Sequence, residues 1–323
     1  MVTGGAGFVG SNLVDALVQE GAEVTVLDDL FTGQKDNIVH INDIRFVGGS
    51  VTDYDLVASL VKEANIVYNL AVRNIIVSTV SPRLDFQVNA GGMFNVLLAA
   101  KTYGTERVVY ASSASVFGNP RYIPINEDDR LYALNPYAAS KLSGENFCNA
   151  FYETYGVSVT ILRYSNVYGV NQSPKNPYCG VISKFFERLM KGHPPQIHGD
   201  GEQTRDFTYV DDVIEASLLA ALSPKAEGDV FNVSSGKEIS INYLAEKMIK
   251  MTNFQRDQVY VNRRDIDNIR RRVLNIEKIR RVLRWIPQTT LTEGLEKTYE
   301  WLSGQSQIQK RTMRVKINQK VTR

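Results

Sequence analysis

The stretch TGGAGFVG at residues 3–10 decides the fold, because it spaces three glycines, Gly4, Gly7 and Gly10, at intervals of three. Glycine lets the backbone approach a ligand closely, and such a turn between a strand and a helix is typical of dinucleotide pyrophosphate binding. The following helix, which we predict over Gly10–Glu20, would direct its positive N-terminal end at the phosphates. An ordinary glycine-rich strand–helix turn remains the alternative for this motif alone.

The end of the next apolar run supports the dinucleotide interpretation. Val24-Thr25-Val26-Leu27 ends at Asp28, 18 residues after Gly10. A carboxylate at this place hydrogen-bonds the adenosine ribose hydroxyls. It also repels a 2′-phosphate, so the sequence predicts NAD rather than NADP. A solvated acid at a strand end is the alternative.

The segment before the glycine turn is short. Only Met1, Val2 and Thr3 precede it, whereas a strand usually has about five or six residues. A dinucleotide fold places this strand in the middle of its sheet. We therefore expect a truncated central strand.

A tyrosine and a lysine further along the chain have the spacing of an acid–base pair. In NPYAASK, Tyr137 and Lys141 are four residues apart, so on a helix their Cβ atoms would lie about 5–6 Å apart. A nearby ammonium favours phenolate over phenol and lowers the pKa of a tyrosine. Such a tyrosine takes a proton from a sugar hydroxyl near neutral pH, while a nicotinamide at the glycine turn would accept the hydride.

Strands and helices alternate along the first half of the chain, which is typical of a parallel sheet covered on both faces. We predict an α/β fold, a Rossmann-type doubly wound parallel sheet with a smaller mixed C-terminal lobe. Residues 1–165, with 206–233 returning to them, would form the NAD-binding domain. Residues 166–205 and 234–303 would form the substrate-binding lobe. The principal predicted strands are Glu23–Asp28, Ile44–Val47, Ile66–Leu70, Arg107–Ser112, Ser158–Arg163 and Val230–Val233, and the principal predicted helices are Gly10–Glu20, Tyr54–Glu63, Asp85–Tyr103, Pro136–Tyr155, Val210–Leu222, Ile241–Met251, Ile276–Leu283 and Thr292–Leu302.

Composition places the chain among ordinary globular proteins. It has 323 residues, of which 43% are hydrophobic and 22% charged, with a net charge of +2. Two cysteines, Cys148 and Cys179, give no disulfide framework, so we predict a cytoplasmic protein. No apolar run approaches the length of a membrane span, and we expect neither secretion nor a membrane anchor. We assign no metal site.

The last twenty residues, 304–323, carry six basic side chains and no acidic one. They show no clear amphipathic period and few large apolar residues. We predict a disordered basic tail. Binding to nucleic acid or to an anionic membrane surface is the alternative to a solvated extension.

Longer motifs add to these patterns. They are Thr3–Ser11, Val26–Leu30, Asn69–Ala71, Val108–Gly118, Asn135–Lys141, Leu162–Gly169 and Gly199–Val213. With them the chain, from Thr3 to about Leu302, resembles an extended short-chain dehydrogenase/reductase of the nucleotide-sugar epimerase and dehydratase group. The resemblance implies a catalytic triad of Ser113, Tyr137 and Lys141, with Lys141 also holding the nicotinamide ribose.

The resemblance also implies two sets of binding residues. The predicted cofactor site comprises Gly4, Gly7, Phe8, Val9, Gly10, Asp28, Ser50, Val51, Leu70, Ala71, Asn89, Tyr137, Lys141 and Tyr164. Ser50 stands where many relatives have an aspartate for the adenine amino group. The predicted substrate site comprises Arg73, Ser113, Asn166, Arg205 and Arg264, whose arginines suit a nucleotide diphosphate. A surface arginine paired with Asp206 is the alternative for Arg205.

The position after the triad serine discriminates between reactions in this group. Dehydratases carry Asp-Glu there and decarboxylases keep the Glu, whereas this chain has Ala114 and Ser115. Neither side chain can act as a carboxyl acid, so the resemblance predicts a UDP-sugar 4-epimerase. A 4-ketoreductase or a UDP-glucuronate decarboxylase is the alternative enzyme, and an NAD-binding sensor is the non-catalytic alternative.

Two further expectations concern the substrate and the assembly. Arg73 follows the motif Asn69–Ala71, where it would face the sugar and prefer the carboxylate of a uronic acid. By resemblance we also expect a homodimer through the helices Asp85–Tyr103 and Pro136–Tyr155. Their apolar positions Phe94, Leu97, Leu98 and Phe151 would otherwise be internal core.

Overall fold

A seven-stranded parallel sheet is the centre of the structure. The computed structural model describes residues 1–174, 176, 179–263 and 269–304. The strands within them are β1 Val2–Thr3, β2 Val24–Asp28, β3 Ile44–Gly48, β4 Ile66–Asn69, β5 Arg107–Ser113, β6 Val159–Tyr164, β7 Asn166–Tyr168, β8 Gln196–His198, β9 Thr204–Arg205, β10 Phe207–Tyr209, β11 Asp229–Val233, β12 Ile239–Ser240 and β13 Val259–Val261. The sheet order is β11-β6-β5-β4-β1-β2-β3, and every pair is parallel.

Helices cover both faces of this sheet. They are α1 Phe8–Gln19, α2 Tyr54–Val61, α3 Ile75–Val80, α4 Pro82–Asp85, α5 Gly92–Tyr103, α6 Pro136–Tyr155, α7 Val181–Met190, α8 Val210–Leu222, α9 Ile241–Met251, α10 Glu277–Leu283 and α11 Leu291–Ser303. Helices α1 and α8 pack together on one face, and α2, α5 and α6 pack on the other. This confirms the predicted Rossmann-type fold class.

Burial explains why the central strands are continuous apolar runs rather than alternating ones. All six residues of β6 are buried, as are the first six of β5. Because helices cover both faces, alternate side chains enter two different cores and neither set meets water. One core contains Leu13 and Ile214, and the other contains Val96 and Cys148.

The first strand lies in the middle of the sheet and has two residues. Val2 pairs with Val26 on one side and with Tyr68 on the other. The ammonium group of Met1 donates to the carbonyl of Ile66 at 2.8 Å. Burial lowers the pKa of this amine to about 6. Strands β2 and β4 therefore extend past β1 at its amino end.

Several predicted helices differ from the structure at their boundaries, and for two of them the local backbone shows why. The first begins at Phe8 rather than at Gly10, because the backbone is already helical directly after the extended Gly7. The predicted helix Asp85–Tyr103 is not uniform. It passes from α4 through one turn of π-helix, Phe86–Gly91, into α5. Sequence periodicity does not distinguish such a widened turn from an α-helix.

The remaining described elements make up a region of short strands and helices that follows β6 in the chain. It contains three two-stranded sheets, which pair β10 with β7, β12 with β9 and β13 with β8. Helix α7 packs against α9 and α11. The division into a cofactor domain and a substrate lobe stays a prediction. Arg264 and the basic tail after Gly304 lie outside the described residues. Within the described parts of the chain, every helix is too short or too polar to cross a membrane.

Candidate active site

The glycine turn between β1 and α1 is closed by contacts that only glycine permits. Gly4 has φ +68°, and a Cβ on it would lie 2.8 Å from the backbone nitrogen of Ala71. A Cβ on Gly10 would lie 2.1 Å from the carbonyl oxygen of Gly4. Gly4 thus permits the tight turn beside β4, and Gly10 lets α1 pack directly against the strand.

A cleft of about 260 Å³, which we call the glycine cleft, opens over this turn. The first turn of α1 receives no hydrogen bond from a capping side chain, so its positive end faces the cleft. Most of the predicted cofactor residues line it together. They are Gly4, Gly7, Phe8, Val9, Gly10, Asp28, Ser50, Val51, Leu70 and Ala71.

Asp28 lies at the carboxyl end of β2 with its carboxylate fixed. One oxygen accepts a hydrogen bond from the backbone nitrogen of Ala6 at 2.9 Å, and the other accepts from that of Leu30 at 2.8 Å. Burial raises the pKa of Asp28, against the effect of these two hydrogen bonds. The carboxylate is therefore positioned by the glycine turn itself and lines the cleft as an oriented acceptor.

The Arg73 side chain has partners within the protein, and its predicted contact with the sugar stays a prediction. Its guanidinium pairs with Asp29 at 2.5 Å and lies 4.1 Å from the ring centre of Phe31. It lines the glycine cleft together with Asp28. The predicted contact of Arg73 with the sugar does not follow from this placement, because a uronate would have to compete with Asp29 for the guanidinium.

Asn89 and Tyr164 have hydrogen-bond partners within the protein, and their predicted roles in the cofactor site stay predictions. The Asn89 amide donates to the carbonyl of Arg73 at 2.9 Å and its oxygen accepts from the Arg73 nitrogen at 2.7 Å, so it fixes the loop after β4. The Tyr164 hydroxyl hydrogen-bonds Ser217 at 2.8 Å, and burial raises its pKa to about 12. Neither Asn89 nor Tyr164 belongs to the described residues that line the glycine cleft.

Local signals place Tyr137 and Lys141 on the first two turns of α6. Asn135 caps the helix by accepting from the backbone nitrogen of Ala138 at 2.9 Å, and Pro136 occupies its first position. Tyr137 is half-buried, whereas Lys141 is 3% exposed. The helix start therefore fixes the face on which both side chains lie.

Lys141 connects α6 to the strand that carries Ser113. Its Nζ donates to the carbonyl of Ala111 at 2.7 Å, two residues before Ser113 on β5. Burial lowers the pKa of Lys141 to about 8, against the raising effect of Asp85 and Glu145. The Ser113 hydroxyl oxygen accepts from the backbone nitrogen of Ser115 at 3.2 Å. Serine and lysine are thus held against the same strand.

A buried ion pair lies one turn behind Lys141, and sequence analysis missed it. Glu145 is 2% exposed and pairs with Arg163 of β6 through two hydrogen bonds, at 2.9 and 2.7 Å. The same carboxylate accepts from the hydroxyl of Ser112 at 2.5 Å. These contacts join α6, β5 and β6 one helical turn beyond Lys141. Glu145 follows Lys141 by four residues and therefore shares its face of α6. This spacing was the sequence signal that could have indicated Glu145.

A second cavity, about 500 Å³ in volume, lies around Asn166 and Arg205. We call it the arginine cavity. Arg205 donates to the carbonyls of Thr204 and Ile269 at 2.8 Å each, so its guanidinium is oriented. The other charged side chains that line it are Lys184, Glu187, Arg188, Asp200, Arg263 and Arg270. Its basic groups outnumber its acidic ones, which suits a doubly charged diphosphate.

Asp206, the alternative partner of Arg205, has several backbone partners. Asp206 is fully buried, and its carboxylate accepts from the backbone nitrogens of Ser235, Gly236 and Leu274. The Asp206 carboxylate therefore holds the backbone at Ser235, Gly236 and Leu274 in place. Arg270 pairs with Asp200 at 2.7 Å in the cavity wall.

One residue that the sequence did not single out, Cys179, lies in the lining of both cavities. The glycine cleft and the arginine cavity therefore meet at this residue. A ligand in the glycine cleft and a ligand in the arginine cavity would therefore approach each other near Cys179.

The sheet order, the glycine turn and the Ser113, Tyr137 and Lys141 positions define an extended short-chain dehydrogenase/reductase. The chain belongs to the NAD dependent epimerase/dehydratase family, whose model matches residues 1–234.

Relatives of this chain within the family differ from one another in activity. A putative UDP-glucose 4-epimerase of Methanocaldococcus jannaschii is 37% identical over 94% of this chain and 98% of its own length. A UDP-N-acetyl-alpha-D-glucosaminuronate decarboxylase of Bacillus cytotoxicus is 31% identical over 93% of this chain and 96% of its own. The solved UDP-glucose 4-epimerase of Thermotoga maritima with UDP-glucose has a TM-score of 0.89 and 33% identity, covering 94% of this chain and 98% of that one.

NAD is the cofactor of this family, and solved neighbours of this chain hold it. The residues present fit the group. The space over Gly4 and Gly10 admits a pyrophosphate against the backbone, the start of α1 lacks a capping side chain, and Asp28 presents an oriented carboxylate. Of the triad, Lys141 would hold the nicotinamide ribose.

Proposed function

We propose that this chain is an NAD-dependent UDP-sugar 4-epimerase, which inverts the C4 carbon of a UDP-hexose or UDP-uronate. One observation carries the proposal. Lys141, with its pKa lowered to about 8 by burial, is tied to β5 beside Ser113 and follows Tyr137 by one helical turn. An ammonium in that position favours the phenolate of Tyr137, which makes it a base for a sugar hydroxyl.

The protein groups divide the work as follows. Tyr137 takes the proton from the C4 hydroxyl, and Ser113 hydrogen-bonds the same oxygen. Bound NAD supplies the two-electron oxidation of C4 and its reversal. Asn166 and Arg205 bind the diphosphate, so that the hexose ring can turn and present its other face. Tyr137 then returns its proton to the C4 oxygen, and no cofactor is consumed.

The residues after Ser113 support epimerisation over elimination. Ala114 and Ser115 form the start of a buried 3₁₀ turn, Ala114–Phe117. Their methyl and hydroxyl groups cannot act as the carboxyl acid and base that loss of water or of carbon dioxide requires there. A decarboxylase is the second candidate function, because a decarboxylase relative covers nearly the whole chain.

A panel of UDP-hexoses and UDP-uronates separates these activities. The chain is incubated with each sugar nucleotide and catalytic NAD, and the products are separated by chromatography. We expect the C4 epimer of at least one substrate, at constant NAD. A pentose product with release of carbon dioxide would establish the decarboxylase instead. Product formation only with stoichiometric NADH or NADPH would establish a 4-ketoreductase. Binding of NAD without turnover of any substrate would establish the sensor.

We further propose a homodimer through α5 and α6. Leu97 and Phe151 are buried within the chain and therefore belong to its core. Phe147 and Tyr155 of α6 are 37% and 51% exposed, and they leave aromatic surface on that helix. Analytical ultracentrifugation should give twice the chain mass. Replacing Phe147 with Lys should give the monomer.

A further inference from the structure

A charged cluster lies beside Asp28 at the adenosine end of the glycine cleft. Arg73 is 7% exposed, and one of its terminal nitrogens donates to Asp29 at 2.5 Å. The other oxygen of Asp29 accepts from the backbone nitrogen of Phe31 at 3.1 Å. The Phe31 ring covers the guanidinium at 4.1 Å. The pair is thus held by a turn, by an aromatic ring and by burial.

The Arg73 side chain retains a donor that the protein does not use. Its Nε is buried and has no hydrogen-bond partner among the described residues. A buried N–H without an acceptor is unfavourable, and an acceptor supplied by a ligand would relieve it. The guanidinium is also the group best suited to bind phosphate.

There is space on both sides of this arginine. An outer cavity of about 490 Å³ shares Ser50, Arg73 and Val88 with the glycine cleft. Ser50 is small and uncharged, and its hydroxyl accepts from Thr52. A group attached to the adenosine ribose at Asp28 therefore has room toward Arg73.

The two charges act together on Asp28. Burial is the main cause of the raised pKa of Asp28, and among nearby charges Asp29 raises it and Arg73 lowers it. All three groups therefore lie within electrostatic reach of one another. With Asp29 in place, Arg73 adds no net positive charge to the site.

We propose that Asp29 sets the preference for NAD over NADP by neutralising Arg73. A 2′-phosphate on the adenosine ribose would meet Asp28 and an arginine whose charge Asp29 already balances. Without the Asp29 charge, Arg73 binds the 2′-phosphate through its terminal nitrogens and its Nε. Asp29 is a positioning residue, and Arg73 is a latent phosphate-binding residue.

Four forms of the full chain test this without any turnover. They are the wild type, Asp29→Asn, Arg73→Gln and the double variant, each freed of bound nucleotide. Calorimetry gives the Kd of NAD and of NADP at one ionic strength. Asparagine keeps the acceptor for the Phe31 nitrogen, so the turn is preserved in Asp29→Asn.

The expected results are opposite for the two single variants. Asp29→Asn should improve the ratio of NADP to NAD affinity about tenfold, because one uncompensated positive charge acts on the 2′-phosphate at short range. Arg73→Gln should lower that ratio by a similar factor, since two carboxylates then face the phosphate. The double variant should return close to the wild type. The gain in Asp29→Asn should shrink at high salt.

A ratio that stays unchanged in both single variants, or moves in the same direction in both, would overturn the proposal. Equal weakening of NAD and NADP would show a structural role only, and it counts against the proposal too. If Asp29→Asn does not fold, as judged by thermal melting, the Arg73→Gln ratio alone decides. If the ratio of NADP to NAD affinity does not fall in Arg73→Gln, the proposal is overturned.

Discussion

The glycine cleft and the arginine cavity are formed by different parts of the chain. The cleft is formed by backbone close approach, at Gly4 and Gly10, and by the buried carboxylate of Asp28. The arginine cavity is formed by side chains from α7, short strands and loops, with Arg205 held by two carbonyls. Backbone contacts leave little freedom for substitution. Side-chain contacts can be exchanged with modest consequences for the fold, so we expect mutations in the two regions to have different signatures.

Removing the proposed base, Tyr137, should have the largest effect. Tyr137→Phe should lower turnover about 10²–10⁴-fold, which is the usual contribution of a positioned acid–base group. The affinities for NAD and UDP should stay close to those of the wild type. Steady-state kinetics and calorimetry measure the two. Tyr132→Phe, at a position 52% exposed, is the matched control and should retain full activity. An active Tyr137→Phe would refute the assignment of the base.

Gly10→Ala should damage the fold and the glycine cleft together. The added Cβ would lie 2.1 Å from the Gly4 carbonyl oxygen, so α1 must move away from β1. We expect a loss of about 3 kcal/mol in the free energy of unfolding, measured in urea, and a loss of NAD binding. Gly48→Ala is the control, because its Cβ would meet only Phe46 at 3.7 Å. Equal stability of the two variants would show that the turn tolerates a side chain.

Arg205→Gln tests the arginine cavity alone. Loss of a charged hydrogen bond to a diphosphate costs about 1.5–3 kcal/mol, or about 10–100-fold in UDP affinity. NAD affinity and stability should change little, in contrast to Gly10→Ala. Arg271→Gln is the control, because Arg271 is 57% exposed and pairs with Glu238. If NAD and UDP affinities fell equally, the two regions would not be separate sites.

The pH profile should show the smallest effect. Lys141 has its pKa lowered to about 8 by burial, so its ammonium, and with it kcat/KM, should fall about tenfold per unit above pH 8. The unfolded chain binds more protons through Lys141 between pH 8 and its ordinary value near 10.5, so the contribution of this group to stability rises over the same window. Activity should therefore fall while the protein stays folded by circular dichroism. A flat profile to pH 10 would contradict the role of Lys141.

The cofactor half of the site was predictable from sequence because its residues are close in the chain. The glycine turn and Asp28 lie within 28 residues, and each has one backbone environment in which its residue type fits. Tyr137 and Lys141 share a helix face by spacing alone. The side chains of Arg73, Asn89 and Tyr164 have protein partners that the sequence did not indicate, and their contacts with cofactor or substrate stay predictions. Residue type does not reveal such partners.

The sequence by itself determined the alternation of strand and helix, the turn after β1 and the spacing of Tyr137 and Lys141 on one helix, because these depend on local spacing and on backbone freedom at glycine. Only the tertiary structure decided which charges meet. Arg73 reaches Asp29 across 44 residues, Glu145 of α6 meets Arg163 of β6, and α7 brings Lys184 and Arg188 to the cavity of Arg205. The energy of a charge is set by its neighbours and its burial, and both are properties of the folded chain.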